Sequence, residues 1–161
     1  MLAELLGAGQ SSDAHHVTAP LESGAGQARA IARAIDAAGL APEDVDHINA
    51  HGTGTRANDA AEARAIRIAL GAAAGRCPVT SVKGSIGHTL AAAGAIEAIA
   101  TIETLRSGII PPTAGLATVD PEIDLDLVRD RPREGRFRVA LSQSFGFGGS
   151  NAVLCLRGPA A

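Results

Sequence analysis

The sequence predicts a layered α/β domain in which helices pack on a mixed sheet. Short apolar runs of strand character alternate with segments of helical spacing in the order βαβαβα, and the rest of the chain reads as further strands. Glycine or proline stands at most of the junctions, so the segments are short and separately bounded. With 161 residues, 46% of them apolar, the chain is long enough to bury one core, and a single domain is expected.

Leu2 to Ala8 is a short apolar run ending at Gly7-Ala8-Gly9 and reads as a strand, whereas Gln10 to Pro20 is polar enough for a loop. Ala28, Ile31, Ile35 and Ala38 recur at helical spacing, Gly39 follows as a C-cap and Pro42 forces a break, so 26–38 is expected to be helical. Val45 to Ala50 reads as a buried strand that delivers His51. Asp59 with Glu62 three residues on makes a capping-box pattern ahead of a helix from Ala60 to Leu70, which Gly71 stops. Val79 to Val82 is a second strand and delivers Lys83. Ala92, Ile96, Ile99, Ile102 and Leu105 give the longest helix, from about Thr89 to Arg106, which Gly108, Pro111 and Pro112 end. Ile123, Leu125 and Leu127 alternate with Asp124 and Asp126 as a half-exposed strand does. Phe137, Val139 and Leu141 repeat the pattern, and Ala152 to Leu156 is a continuous apolar strand.

The formal charge of −3, with acids and bases interspersed, leaves no basic run for nucleic acid or an anionic membrane. The two cysteines, Cys77 and Cys155, lack metal-ligand or disulfide-framework spacing and fall in apolar runs, so neither is expected to be reactive and a reducing cytoplasm is the simplest setting. The start of the chain carries no basic n-region and has Glu4 inside its short apolar run, unlike a secretory signal, and no later run could span a bilayer. The expected protein is soluble and unprocessed.

Three glycine-flanked polar motifs stand out. In His51-Gly52-Thr53-Gly54-Thr55, a histidine at a strand end meets glycines that open unusual backbone conformations and let a ligand approach closely. A lone histidine there is more often structural, but a second histidine after a matching strand favours function. Neutral imidazole can donate an N–H to a developing oxyanion. His88, in Lys83-Gly84-Ser85-Ile86-Gly87-His88-Thr89, stands at the mouth of the long helix, where free amides and the dipole disfavour the protonated ring; the alternative is an uncommon histidine N-cap. Lys83 at the end of an apolar strand needs a partner, and Glu97 on the following helix is the residue to supply it, as a structural ion pair, an active-site one, or both. Ser144-Phe145-Gly146-Phe147-Gly148-Gly149 is followed by a strand, so it is not a phosphate loop; Phe145 reads as a core residue. A metal site from His47 and His51 with His15 or His16 is disfavoured, because a four-residue spacing in a strand and turn stacks no ligands and no acid stands beside it; no metal and no cofactor are expected.

In order and spacing, these motifs resemble the C-terminal half of β-ketoacyl-[acyl-carrier-protein] synthases, from about Leu2 to Arg157. The resemblance implies a thiolase-like half-domain with a mixed five-stranded sheet and packed helices. It implies that residues 1–13 are the last strand of an absent N-terminal half, an orphan here, and that 14–161 are the ketosynthase C-terminal domain. It implies roles for His51 and His88 as oxyanion-stabilising donors and for Lys83 in the same network, with Glu97, Thr53 and Thr55 in support. Phe147, Gly148 and Gly149 would be the gate admitting acyl chain or extender. The partners implied are an acyl carrier protein bearing acyl and malonyl thioesters and a complementary N-terminal half, in a homo- or hetero-oligomer. Ketosynthases use a cysteine in a Thr-Ala-Cys-like turn; Cys77 and Cys155 match no such motif, so the nucleophile is expected elsewhere. Ala8 and Gln143 are smaller departures that bear on substrate preference. The alternative is a non-catalytic scaffold that keeps the fold and binds a ketosynthase or carrier protein.

Overall fold

A computed structural model describes residues 1–159. Its centre is a five-stranded mixed sheet of strands β1 (Glu4–Ser12), β2 (His47–Asn49), β3 (Val79–Thr80), β6 (Val139–Phe145) and β7 (Ser150–Arg157), in the order β1-β7-β6-β2-β3. Strands β6, β2 and β3 run parallel, and β7 is antiparallel to both its neighbours. Helices α1 (Ala25–Ala37) and α2 (Arg56–Leu70) cover one face, packing Ile31, Ile35 and Ile66 against Ile48, Leu141 and Val153. Helix α4 (Ala93–Ser107) covers the other, with Leu105 against Ala140 and Leu156. A one-turn helix α3 (Lys83–Ile86) follows β3, and β4 (Ile109–Ile110) pairs with β5 (Arg133–Glu134) apart from the main sheet. The layered α/β expectation and the mixed five-stranded sheet are both found.

Several expectations are corrected. The opening strand is no orphan: it pairs with β7 from Glu4↔Arg157 to Ser12↔Ser150, leaving only its outer edge free. It also runs through Gln10–Ser12, where a loop was expected, because an edge ladder needs only backbone groups and tolerates polar side chains. Helix α2 begins at Arg56, with Thr55 as its N-cap, so Asp59 and Glu62 lie inside it and form no capping box. Lys83 opens α3 where it was expected to end a strand, since β3 stops at Thr80. The helix of Ile96 and Ile102 starts at Ala93 after a 3₁₀ turn at Leu90–Ala92, and at 15 residues it equals α2 in length. Ile123–Leu127 forms a single bridge, Leu127 to Val79, and no strand. The two-residue β3 offers no longer ladder, and Leu125 and Leu127 meet their apolar requirement by packing on the core.

Strand β1 and helix α1 pack closely, backbone against backbone. A Cβ at Gly9 would overlap the Ala30 carbonyl, and one at Gly7 would crowd Ala34 and Ala38 backbone. Glycine at alternate strand positions and alanine at helical spacing thus make one complementary pair of surfaces. Gly9→Ala should lower unfolding stability by about 1–3 kcal/mol, because the atoms it meets are backbone and cannot swing aside. Ala8→Ser, at the exposed neighbouring position, should change it by less than about 0.5 kcal/mol. Urea denaturation of the two variants checks this, and equal stabilities would show that α1 does not rest on β1.

Candidate active site

Strands β2, β3 and β6 are parallel, so their C-terminal ends lie together, and the connections leaving them carry the singled-out residues. His51 follows β2, Lys83 follows β3, and His88 stands between α3 and α4. The His51 and His88 rings meet edge to face with centroids 5.4 Å apart. Phe145, at the end of β6, lies against the same His51 ring at 5.9 Å.

Lys83 and Glu97 form an ion pair that is almost wholly sealed from solvent. Burial pushes the Glu97 carboxyl above its ordinary range, and the hydrogen bond and charge of Lys83 pull it back. The Lys83 Nζ also lies 3.4 Å from His51 Nδ1. An ammonium has only donors, so this ring nitrogen accepts and the His51 proton resides on Nε2. His88 reaches the same tautomer differently, since its Nδ1 accepts the Leu90 N–H at 3.2 Å. Two imidazoles in contact are thereby each left with an Nε2–H to donate.

Glu62 was read as part of a helix cap, and the structure gives it another position. Its carboxylate accepts the backbone N–H of His51 at 2.8 Å and of Gly52 at 2.9 Å, while Asn58 Nδ2 donates at 3.3 Å. The helix α2 therefore grips the loop on which His51 stands. Burial raises the Glu62 carboxyl to about 7, against the lowering effect of those hydrogen bonds. Phe145, read as a core residue, is buried as expected and also braces His51. The signal for Glu62 was present: Asn58 and Glu62, four apart, put polar groups on the buried face of an otherwise alanine-rich helix.

Thr53 and Thr55 share a hydrogen bond at 2.8 Å on the surface beyond His51. Thr53, Lys83 and His88 line a cleft of about 360 Å³ together with the apolar Ile66, Ile123, Leu125 and Leu127. Phe147 is 76% exposed on the turn between β6 and β7, where Gly148 and Gly149 adopt φ of 75° and 74°. That turn is tied down by Gly148 N–H to the Val17 carbonyl at 2.6 Å and by Asp13 N–H to the Gly149 carbonyl at 2.9 Å. His15 and His16 stay apart from the pair, and His16 spends its Nδ1 on the Thr18 and Ala19 amides. Both cysteines are buried, and burial raises their thiols to about 12 for Cys77 and about 11 for Cys155. No helix among the described residues is long and apolar enough to cross a membrane.

The pH response follows from these environments. Burial lowers His51 to about 3, assisted by the Lys83 and His88 charges, and lowers His47 to about 4. Both folded values lie below the ordinary 6.5, so the neutral rings contribute stability that is complete above that pH and is lost as pH falls toward 4 and 3. Glu62 has the opposite sign: raised from 4.5 to about 7, it makes the fold less stable as pH rises through that interval. Histidine ¹⁵N NMR should show His47 and His51 neutral throughout about pH 5 to 7. A midpoint near 6.5 for either ring would contradict the burial described. Glu62→Gln should remove that opposing contribution, so that the rise in stability which His47 and His51 give between pH 4.5 and about 6.5 becomes steeper.

Comparison with known proteins places this arrangement. Residues 2–117 match the family description "Beta-ketoacyl synthase, C-terminal domain". The chain is 49% identical over 154 residues to 3-oxoacyl-[acyl-carrier-protein] synthase 2 of Mycobacterium tuberculosis, covering 96% of this chain and 36% of that protein. It is 45% identical to Nodulation protein E of Rhizobium meliloti, covering 98% of this chain and 39% of that one. The chain thus spans little more than a third of the curated relatives it matches. Among solved structures, a β-ketoacyl synthase from Burkholderia phymatum superposes with TM-score 0.93 at 36% identity, over 99% of this chain and 38% of that chain. The AntDE:AntF complex, a type II PKS acyl-carrier protein with its ketosynthase, gives TM-score 0.95 at 36% identity, over 99% and 39%. With the thiolase-like fold and the family match in agreement, the chain belongs to the β-ketoacyl synthases and carries the C-terminal domain of that family.

Proposed function

We propose that this domain supplies the decarboxylation and oxyanion half of a β-ketoacyl-[acyl-carrier-protein] synthase site, in fatty-acid or polyketide assembly. The observation that carries the reading is the pair of touching imidazoles, each with its Nδ1 occupied and its Nε2–H free. Loss of carbon dioxide from a malonyl thioester breaks a carbon–carbon bond and leaves its electron pair in an enolate whose charge rests on the thioester oxygen. His51 and His88 donate to that oxygen. A neutral donor suits the task, because it stabilises the charge without giving up its proton. The enolate carbon then attacks an acyl thioester held on a cysteine, forming the new bond and releasing the thiolate.

Lys83 and Glu97 hold the His51 ring; Thr53 and Thr55 flank the approach of the thioester arm; Phe147, with Gly148 and Gly149, forms the gate. The cysteine is supplied by a complementary N-terminal half. Neither thiol here is reactive, since both are buried and driven well above neutral pH. Acyl and malonyl groups arrive on an acyl carrier protein. One similar solved structure contains such a carrier with its ketosynthase, and another is described as a ketosynthase with its chain length factor, which supports carrier and ketosynthase partners here. The outward residues Leu90 and Ile99, 73% and 61% exposed, offer that half an apolar contact.

In the complemented enzyme, His51→Ala and His88→Ala should each reduce malonyl decarboxylation about a hundredfold or more, while acylation of the partner's cysteine suffers less. If both variants keep full decarboxylation while still binding the complementary half, the domain is a scaffold and the catalytic reading is wrong. Intact-mass spectrometry of the chain alone with an acyl-carrier thioester should show no adduct; a stoichiometric adduct on Cys77 or Cys155 would move the nucleophile into this domain.

A further inference from the structure

Ser81 lies between the segment carrying His51 and the turn carrying Lys83, and the chemistry above makes no use of it. The residue is buried. A serine hydroxyl has one proton to donate and two lone pairs to accept with. Ser81 Oγ donates to the Gly52 carbonyl at 2.9 Å and accepts the Lys83 backbone N–H at 3.3 Å. Its own N–H donates to Thr113 Oγ1 at 3.0 Å. The sense of the hydroxyl chain is fixed further out. Thr80 Oγ1 gives its proton to the Pro111 carbonyl at 2.8 Å, so at the 3.2 Å contact between the threonine hydroxyls Thr113 is the donor.

Gly52 is consequently held at both ends. Glu62 accepts its N–H and Ser81 donates to its carbonyl. The residue has φ of 44°, and a Cβ there would run into Ser81 Cβ and Oγ, so the left-handed turn after His51 is packed on this serine as well as bonded to it. The same hydroxyl receives an amide from the first residue of α3. Lys83 and His51 are 32 positions apart, yet one side chain touches the backbone of both segments.

We propose that Ser81 is a positioning residue that locks the His51 segment to the Lys83 turn and so sets the 3.4 Å approach of Lys83 Nζ to His51 Nδ1. The inference rests on the reading of His51 as an Nε2–H donor. If the lock loosens, Lys83 no longer faces one ring nitrogen, and the ring is free to exchange tautomers and take up water.

The test uses Ser81→Ala in the full chain with ¹⁵N-labelled histidine. This substitution removes the hydroxyl and leaves the Thr113 bond, which uses the backbone N–H. The parent chain should show His51 as a single Nε2–H tautomer. The variant should show mixed tautomers and an imidazole midpoint moved toward that of free histidine by about one unit or more. His47, anchored through its Nδ1 to the Pro78 carbonyl at 3.0 Å, reports on the fold and should not change. An unchanged His51 signal beside an unchanged His47 signal overturns the proposal. If Ser81→Ala does not fold, Thr113→Val decides by the same signal, because it removes the acceptor that holds the Ser81 amide. Full decarboxylation by His51→Ala would defeat the catalytic reading and leave this tautomer result standing, so the two failures are distinguishable.

Discussion

A lysine ammonium sealed in protein survives only with a partner, and the pairing of Lys83 with Glu97 is the constraint on which the catalytic end depends. Removing either partner would strand a buried charge, which costs far more than the pair itself contributes. The pair also closes a loop. Lys83 opens α3 and Glu97 lies in the second turn of α4, so everything between them, His88 included, is bracketed by one contact. Because the lysine points on to His51, the bracket is keyed to the other histidine as well.

The domain divides its work between its faces. Against α1 the edge strand β1 presents glycine, and the helix answers with alanine, giving a contact of backbone on backbone that admits no substitution cheaply. At the end where β2, β3 and β6 terminate, the requirements are polar, and the amides of His51 and Gly52 and the Gly52 carbonyl each find a named partner: Glu62 for the two amides, Ser81 for the carbonyl. Rigidity on the first face allows hydrogen bonds on the second to fix positions, since the ends of packed strands move little.

The layered class, the strand-delivered His51 and the Lys83–Glu97 pairing could all be read in the sequence. Each leaves a local trace: periodicity in the first case, a histidine among glycines in the second, an unaccompanied lysine after an apolar run in the third. What could not be read depends on pairing across long separations. Gln10–Ser12 has no strand character of its own and becomes strand because β7 is there to receive it. Ile123–Leu127 has that character and remains irregular because β3 is two residues long. Glu62 was misread because Asp59–Glu62 fits a cap by spacing alone, whereas Thr55 fixes the helix start four residues earlier. Ser81 carries no sequence signal, being one hydroxyl residue among several, and only the approach of Gly52 gives it a role.

The pairing of β1 with β7 has a consequence for the order in which the chain acquires its shape. Glu4 faces Arg157, so the outermost ladder joins segments separated by almost the whole domain. Contacts of such separation form late, after the chain entropy between them has been lost. During synthesis, β1 and the α1 helix that rests on it emerge before β7 and wait for it. Until then, the Gly7–Gly9 strand has α1 on one face and lacks the ladder that β7 supplies. The alanine-on-glycine contact is therefore local in sequence for a reason that the finished fold conceals: it holds the early segment together while its ladder to β7 does not yet exist.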